Sequence, residues 1–377
     1  MSAPPLGVYV HWPYCARVCP YCDFNVGRDR GGQKTALVGA ILADLTAHAA
    51  LTGPRRLISI FFGGGTPSLM DPGVVARMVE AARALWTTDT DPEITLEANP
   101  TDAEADRFAA LAQAGVNRLS LGLQSLENAA LKFLGRDHDA AAGRRAAARA
   151  ARIFPRLSVD LIYARPGQSV AAWEKELRQA IALGAEHISP YQLTIEAGTA
   201  FHRAVRRGAF TPPGPDLAAD LYETTQAVLE SAGFEAYEVS NHAKGEAARS
   251  RHNLIYWRGG DYVGVGPGAH GRLTLAGERW ASVAPNGVAA YIEQVRAAGL
   301  GSSREWLDAR AVALERLLMG LRTVEGAALS DLAALRIPAA RIAALGGLAA
   351  IKVDRLVVTA KGRPVLDRIV ADLADGA

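Results

Sequence analysis

Cysteine is nearly absent from this chain of 377 residues. There are three, Cys15, Cys19 and Cys22, and all of them lie within one window of eight residues. Three thiols so close together cannot form the disulfide framework of a small secreted protein. The opening MSAPPLGVYVHWPYC also lacks a basic stretch followed by an apolar one, which is the pattern of a secretory signal. We therefore expect a cytoplasmic protein whose cysteines serve a metal or redox site.

A strong charge of either sign is lacking as well. Lys and Arg number 41 against 39 Asp and Glu, which leaves a formal net charge of +2 at pH 7. Short basic clusters such as Arg203, Arg206 and Arg207 are typical of solvated helix faces, not of a nucleic-acid surface. No apolar run approaches the length of a membrane span. The sequence thus predicts no nucleic-acid partner and no transmembrane segment, and leaves open a peripheral membrane association through a protein partner.

Short β-like runs alternate with helical stretches through the first two thirds of the chain. Six runs are strand candidates: GVYVHW from Gly7, LISIFF from Leu57, EITLEA from Glu93, RLSLGL from Arg118, LSVDLIY from Leu157 and HISPYQL from His187. Six β–α units in succession predict an α/β fold with a parallel sheet covered by helices, either open or closed like a barrel. We divide the chain into a core at 1–232, a connecting region rich in Gly and aromatics at 233–302, and a C-terminal module at 303–377.

The cysteines follow the spacing C-x3-C-x2-C directly after the first predicted strand. Such a cluster of thiolates can ligate three corners of an iron–sulfur cubane. A zinc site completed by His11 is an alternative, although zinc motifs generally come as two spaced pairs and no second pair exists here. Three unrelated buried thiols are the remaining interpretation. The confinement of every cysteine to one window favours the iron–sulfur site.

Polar and glycine residues recur where the predicted strands end. FFGGGTPS places Gly63, Gly64, Gly65 and Thr66 after the second strand, where backbone can approach a ligand closely, although a tight strand-to-helix turn would use the same residues. Three further polar residues lie at or near the ends of the next strands: Glu97, Gln124 and Asp160. Enzymes with barrels of parallel strands keep their active sites at this edge. Asp160 also interrupts an apolar run, so we expect it to have a partner or a ligand. Arg136 in LGRDH is a candidate partner for Asp160 or a candidate contact for the carboxylate of a ligand.

The cysteine motif, embedded in Y-x-H-x-P-x-C-x3-C-x-Y-C, resembles that of the radical S-adenosylmethionine (SAM) superfamily. In those enzymes three cysteines hold a 4Fe–4S cluster, SAM chelates the fourth iron, and reduction of the cluster cleaves SAM to methionine and a 5′-deoxyadenosyl radical. The resemblance implies a partial (β/α)6 TIM-type barrel with a smaller C-terminal α+β domain of winged-helix-like kind, and a cluster on Cys15, Cys19 and Cys22. It further implies SAM contacts at Tyr9, Gly63, Gly64, Gly65, Thr66, Glu97, Gln124, Arg136 and Asp160.

The resemblance is narrower than the superfamily. YVHWPYCARVCPYCDF, FFGGGTPS, ITLEANP, RLSLGLQS, LGRDH and DLIYARPGQ are similar to oxygen-independent coproporphyrinogen III oxidase and its relatives. The oxidase carries a further cysteine where this chain has Phe24, and a longer N-terminal segment. Both departures resemble the heme chaperone group of that family, as does HNLIYW. In that group this motif implies a heme contact by His252, with Tyr256 and Trp257 packing on the porphyrin. His270 in GPGAHG is a second candidate.

On this resemblance we expect a protein that binds heme and transfers it to apo-hemoproteins, such as respiratory-chain components, and that carries a 4Fe–4S cluster and SAM. Whether it is also an enzyme is left open, and a homodimer is a candidate oligomeric state. One rival function is radical decarboxylation of coproporphyrinogen III. A second rival function, from a different class, is that of a scaffold protein whose barrel is held together by a zinc ion.

Overall fold

The computed structural model describes residues 3–29, 31–88 and 91–374. Its strands are β1 (Pro5–Trp12), β2 (Tyr14–Cys15), β3 (Gly27–Arg28), β4 (Arg56–Gly64), β5 (Glu93–Ala98), β6 (Arg118–Gln124), β7 (Arg156–Tyr163), β8 (His187–Gln192), β9 (Glu235–Glu238), β10 (Asn241–Ala243), β11 (Asp261–Val265), β12 (His270–Leu275), β13 (Glu278–Val283), β14 (Ser303–Leu307), β15 (Ala327–Ala328), β16 (Ala349–Lys352) and β17 (Arg355–Val358). Its α-helices are α1 (Lys34–Thr52), α2 (Pro72–Leu85), α3 (Asp102–Ala105), α4 (Phe108–Gln113), α5 (Asn128–Phe133), α6 (Ala140–Ile153), α7 (Val170–Ile181), α8 (Ala200–Arg206), α9 (Pro215–Ser231), α10 (Arg251–Trp257), α11 (Val288–Ala298), α12 (Ala309–Gly320), α13 (Ala339–Ala344) and α14 (Leu366–Ala374). Short 3₁₀ turns lie at Pro67–Leu69, Glu246–Ala248, Ala333–Leu335 and Arg363–Val365.

The six strands predicted from the sequence all form, and they lie side by side in chain order. They are β1, β4, β5, β6, β7 and β8, and every neighbouring pair is parallel. Parallel neighbours in chain order, joined by helices, are the arrangement of a TIM-type barrel. The predicted fold class, an α/β fold with the sheet of a partial TIM-type barrel, is confirmed.

The two faces of this sheet differ because side chains alternate along a strand. On β6 and β7 the outward residues are apolar and join the main core with the covering helices, for example Leu119, Leu121 and Val159. The residues between them are polar, including Ser120 and Asp160. The inner face of the barrel is therefore lined by groups that can bind or ionise, and the apolar face holds the helices in place.

The longest helix, α1, bears on the prediction that the chain has no transmembrane segment. With 19 residues and a mean hydropathy of 1.4, α1 is long and apolar enough to cross a membrane by length and composition. In the structure it packs on the barrel, and its buried Asp44 accepts hydrogen bonds from the Tyr291 hydroxyl at 2.7 Å and the Gly301 amide at 2.8 Å. His48 lies 3.1 Å from the same carboxylate. A buried carboxylate with three partners is typical of a helix that packs in a protein core.

Residues 233–302 extend the same sheet at both ends. β10 pairs antiparallel with β8 at one edge, and β9 pairs antiparallel with β10. At the other edge β11 pairs parallel with β1 and is followed by β12 and β13; β14, the first strand after residue 302, pairs antiparallel with β13. The chain crosses between the two edges through α10. This helix lies under the barrel, because Glu93, the first residue of β5, accepts hydrogen bonds from the backbone amides of Arg251 and His252, both at 3.0 Å. α10 thus closes the end of the barrel opposite the cysteine loop.

The C-terminal module has its own core. Leu317, Leu356, Ile369 and Leu373 are fully or almost fully buried in a cluster separate from the barrel core. Its strands form a three-stranded antiparallel sheet in the order β15, β17, β16. The helix α12 contributes to this core and also reaches α10 and β14, so it connects the module to the barrel.

Candidate functional site

The three cysteines lie in a loop at the carboxyl end of β1, and all three are free and half-buried. Two backbone hydrogen bonds tie the start of this loop to the end of β4: the Gly65 amide donates to the Trp12 carbonyl at 2.7 Å, and the Thr66 amide donates to the Tyr14 carbonyl at 2.9 Å. The loop is thus anchored by the glycine segment that the sequence singled out.

That segment needs glycine for close packing. A Cβ on Gly65 would lie 2.6 Å from the Tyr14 carbonyl oxygen and 2.9 Å from the Trp12 carbonyl oxygen. Gly64 has a φ of +105°, and a Cβ there would lie 2.6 Å from the His11 ring. Real Cβ atoms do not approach other atoms so closely, and the left-handed region favours glycine. The glycines therefore bring the ends of β1 and β4 together beside the cysteine loop.

A hydrogen-bond chain runs from Cys19 to Thr66 across the strand ends. Arg136 Nη1 lies 3.4 Å from Cys19 Sγ, and its other terminal nitrogen donates to Asn99 Oδ1 and to the Gly122 carbonyl. Asn99 Nδ2 in turn donates to Thr66 Oγ1 at 3.2 Å. Burial raises the pKa of the neighbouring Cys15 thiol, and the Thr66 hydroxyl acts against that rise. Asn99 was missed by the sequence analysis, although it lies only two residues after Glu97 in LEANP.

Two carboxyl groups face each other inside the barrel. Glu97 Oε2 accepts from the Gly64 amide at 3.2 Å, and Asp160 Oδ2 accepts from Ser120 Oγ at 2.9 Å. Burial and the nearby Asp160 raise the pKa of Glu97 to about 8, and burial also raises the pKa of Asp160. Arg136, expected as a partner for Asp160, is bonded to Asn99 and Cys19 instead. Asp160 is held by serine hydroxyls, with the charge of Arg118 nearby.

The raised pKa of Glu97 has a measurable consequence for the stability of the cluster-free chain. Its contribution to the free energy of unfolding is fully present below the ordinary value of 4.5 and is lost as the pH rises through about 8. Glu97→Gln cannot ionise. We expect the stability of this variant relative to the parent to increase by on the order of 1–3 kcal/mol between about pH 5 and about pH 8.5. Urea unfolding at the two pH values measures it, with the exposed Glu80→Gln as control. An equal difference in unfolding free energy between Glu97→Gln and the parent at both pH values would contradict a raised pKa of Glu97.

Gln124 and Tyr9 also lie where the sequence placed them. Gln124 ends β6 with a φ of 62°, an uncommon conformation for a residue other than glycine, and the pairing of β6 with β7 shifts register there. Such a conformation at a strand end is typical of a ligand-binding position. The hydroxyl of Tyr9 lies 3.0 Å from His11 Nδ1, and burial, together with the Glu97 charge, raises the pKa of Tyr9.

The cysteine loop fits a 4Fe–4S cluster better than a zinc ion. His11, the proposed fourth zinc ligand, has both ring nitrogens engaged, since Nε2 donates to the Asn25 carbonyl at 2.9 Å and Nδ1 meets the Tyr9 hydroxyl. Within the described residues, no three His, Cys, Asp or Glu side chains converge to hold a single metal ion. A cubane binds each thiolate at a different iron, so it needs no such convergence. Burial raises the pKa of Cys15 and, to about 11, that of Cys22, so a metal must displace the protons of these thiols.

His252 lies at the opposite end of the barrel and is fully buried. Its Nδ1 lies 2.8 Å from Ser59 Oγ and its Nε2 lies 2.6 Å from the Tyr256 hydroxyl, while its ring stacks on Phe61 with centroids 5.1 Å apart. Burial and the Arg118 charge lower the pKa of His252 to about 3. Contrary to the expectation from the HNLIYW motif, His252 offers no free nitrogen to an iron in this conformation, because both are bonded to hydroxyl groups.

The second candidate, His270, begins β12 and is exposed. It borders a cavity of about 340 Å³ between the edge strands and α12. Tyr256 and Trp257, the other two aromatic residues of the motif, line the same cavity. Tyr9 and His11 line it from the side of β1, so the cavity adjoins the residues around the cysteine loop.

Comparison with known proteins places these features in a family. Residues 9–180 match the radical SAM superfamily. Among curated proteins, the chain is 37% identical to the heme chaperone HemW of Mycobacterium tuberculosis over 99% of this chain and 96% of that protein. It is 42% identical to the Escherichia coli heme chaperone HemW over 73% and 72% of the two chains. It is also 44% identical to the mitochondrial radical S-adenosyl methionine domain-containing protein 1 of Bos taurus over 85% and 73%. Among solved structures, coproporphyrinogen III oxidase (HemN) from Escherichia coli superposes with a TM-score of 0.82 at 22% identity, covering 99% of this chain and 90% of that one.

Proposed function

The chain belongs to the radical SAM superfamily, in the group whose members are named heme chaperone HemW, and on that premise we propose that it binds heme and transfers it to apo-hemoproteins. The observation that carries the proposal is the similarity to the Mycobacterium tuberculosis HemW along nearly the whole of both chains. Respiratory-chain components are the proposed class of acceptor.

The superfamily implies a 4Fe–4S cluster and SAM, and we propose which residues of this chain bind each of them. Cys15, Cys19 and Cys22 would hold the cluster, whose chemistry when loaded is one-electron reduction of SAM. The residues proposed to receive SAM surround that loop: Tyr9, Gly63, Gly64, Gly65, Thr66, Glu97, Gln124, Arg136 and Asp160. The glycine segment, with the carboxyl groups of Glu97 and Asp160 nearby, is proposed to receive the SAM amine, and the Arg136 guanidinium suits its carboxylate.

The rival function is decarboxylation of coproporphyrinogen III. The structural similarity to HemN supports a common fold, but at 22% identity it does not support a common activity. Phe24, at the position where the oxidase carries a further cysteine, is 62% exposed beside the cluster loop. A phenyl ring cannot replace a thiol in redox or metal chemistry. This departure favours carrying a porphyrin over making one. The zinc-stapled scaffold is disfavoured by the two hydrogen bonds of the His11 ring.

The proposal also covers partners and location. We propose a cytoplasmic protein that meets its acceptors at the membrane through protein contacts, without a nucleic-acid partner. We propose a homodimer as its oligomeric state. The near balance of 41 basic and 39 acidic residues supports contact with proteins more than with an anionic polymer.

One anaerobic reconstitution tests the function. We expect about four irons and four sulfides per chain, saturable hemin binding seen in the Soret band, and transfer of that hemin to an apo-hemoprotein such as apomyoglobin. We expect no protoporphyrinogen from coproporphyrinogen III under reducing conditions with SAM. Cys15→Ser in the same assay shows which steps depend on the cluster. Absence of any Soret change in the loaded protein, or formation of protoporphyrinogen, would reject the chaperone function.

A further inference from the structure

Resting on the proposed function, in which Gln124 contacts SAM, we propose that Glu176 on α7 is a positioning residue for SAM binding. None of its hydrogen-bond partners is a residue proposed to contact SAM. Its carboxylate holds the two places where the chain leaves β6 and β7, and so keeps the Gln124 side chain directed into the site. The proposal is carried by backbone conformation, hydrogen bonds and burial.

The chain leaves two neighbouring strands in the same uncommon way. Gln124, the last residue of β6, has a φ of 62°, and Ala164, the residue directly after β7, has a φ of 58°. This left-handed region is unfavourable for residues other than glycine, and such residues persist there only where the surrounding structure holds them. Two of them at adjacent strand ends therefore call for a group that holds both.

The conformation of Gln124 is tied to the direction of its side chain. Leu121 and Leu123 pack in the main core, so the alternation along β6 directs Gln124 to the inner face of the barrel. A Cβ on Gly122 would lie 2.9 Å from Gln124 Nε2 and 3.7 Å from Arg136 Nη2, so both groups border the same small residue. The Gln124 amide therefore lies among the residues proposed to receive SAM.

One carboxylate holds both strand ends. Glu176 Oε1 accepts from the Ser125 hydroxyl and from the Leu126 amide at 2.7 Å, directly after β6. Its other oxygen, Oε2, accepts from Nη2 of Arg165 at 2.5 Å, two residues after the end of β7. Arg165 Nη1 also donates to Ser125 Oγ at 2.6 Å, which joins the two strand ends to each other.

Stability alone does not explain this ion pair. The side chains of Arg165 and Glu176 are 5% and 1% exposed, and burying both charges carries a desolvation cost that apolar residues of similar size would avoid. Trp173 and Leu177, which share the buried face of α7 with Glu176, are fully buried and apolar. A carboxylate on this face can hold the backbone amide and hydroxyl after β6, which an apolar side chain cannot do.

Equilibrium binding of SAM to the reconstituted full chain tests this role. Glu176→Gln is expected to weaken SAM binding by about fivefold or more, because the strand ends lose a bond that holds them. Its iron and sulfide content should equal that of the parent, since no hydrogen bond of Glu176 goes to the cysteine loop. Glu174→Gln is the matched control: Glu174 lies on the same helix, pairs with Arg178 at the surface, and should be dispensable for SAM binding.

A double-mutant cycle with Gln124→Ala separates positioning from a general loss of stability. If Glu176 acts through Gln124, Glu176→Gln should weaken SAM binding by at most about twofold once Gln124 is already alanine. A merely structural role would weaken binding by the same factor in both backgrounds. The double variant Arg165→Met/Glu176→Leu removes both charges together and is expected to keep the melting temperature of the parent, yet to bind SAM as weakly as Glu176→Gln. It also serves as the test if Glu176→Gln fails to fold.

The outcomes separate this role from the proposed function. If the parent binds no SAM, the cofactor assignment of the proposed function fails and this inference fails with it. If the parent binds SAM, the assignment stands, and the positioning role is wrong when Glu176→Gln or a stable Arg165→Met/Glu176→Leu protein binds SAM like the parent. It is also wrong if Gln124→Ala alone binds SAM like the parent, or if the loss is the same in both backgrounds of the cycle. A loss of affinity that disappears in the Gln124→Ala background supports it.

Discussion

Replacing Gly65 by alanine is expected to abolish loading of the iron–sulfur cluster. The new methyl group would lie 2.6 Å from the oxygen and 2.8 Å from the carbon of the Tyr14 carbonyl, and 2.9 Å from the Trp12 oxygen. All three are backbone atoms, so no side chain can turn away to relieve the clash. The segment must move off β1 and break the two hydrogen bonds that hold the start of the cysteine loop. Cys15, which follows Tyr14 directly, moves with it.

The measurement is iron and sulfide content after anaerobic reconstitution, alongside thermal unfolding of the cluster-free chain. We expect almost no bound iron and a loss of about 1–3 kcal/mol in the free energy of unfolding. Gly27→Ala is the matched control: Gly27 pairs with Tyr14 from the other side, and a Cβ there has no atom within 4 Å. Full cluster content in Gly65→Ala would show that the loop does not depend on this close approach.

The parts of the fold that follow from local pattern were predictable. The six parallel strands are short apolar runs separated by helical stretches, and both signals lie within a few residues of one another. The polar lining of the barrel could also be predicted from the sequence. Glu97, Gln124 and Asp160 interrupt apolar strands near their carboxyl ends, where parallel strands bring side chains together. The prediction of an iron–sulfur site in the cysteine loop rested on the spacing of the three cysteines alone.

What escaped prediction depends on contacts between residues far apart in the chain. The pairing of β11 with β1 joins residues 261–265 to residues 6–10, and DYVGV carries no sign of its partner. The burial of His252 could not be predicted for the same reason, because it also depends on residues far away in the chain. Its partners Ser59 and Phe61 lie on β4, and no local pattern indicates that α10 enters the barrel. The motif drew attention to the correct segment, but a motif does not show which of its residues face a ligand.

The buried charges under the barrel supply the second large prediction: Glu93→Ala is expected to destabilise the protein by about 3–5 kcal/mol. Glu93 is 1% exposed and accepts from the amides of Arg251 and His252, and Arg156 Nη1 lies 2.6 Å from its carboxylate. Removing the carboxylate leaves Arg156 with Glu186 as its ion-pair partner, takes a compensating charge away from Arg118, and leaves the first turn of α10 without its acceptor. The matched control is Glu186→Ala, which deletes the half-exposed second partner of Arg156, at 3.3 Å, and should cost at most about 1 kcal/mol.

The pH dependence identifies the cause. Burial alone would raise the pKa of Glu93, but the Arg118 and Arg156 charges and the two amides hold it below its ordinary value of 4.5. Its contribution is therefore present above pH 4.5 and is lost as the pH falls through the lower folded value. Urea unfolding should show a stability gap between the parent and Glu93→Gln that shrinks in that acid range, while the gap for Glu186→Gln stays small throughout. Because Tyr256 and Trp257 lie on α10 and line the cavity of about 340 Å³, a loosened helix also disturbs the wall of that cavity. Hemin binding by Glu93→Gln should weaken although the cluster loop is untouched, and parent-like hemin affinity in a destabilised Glu93 variant would show that hemin binding does not depend on α10.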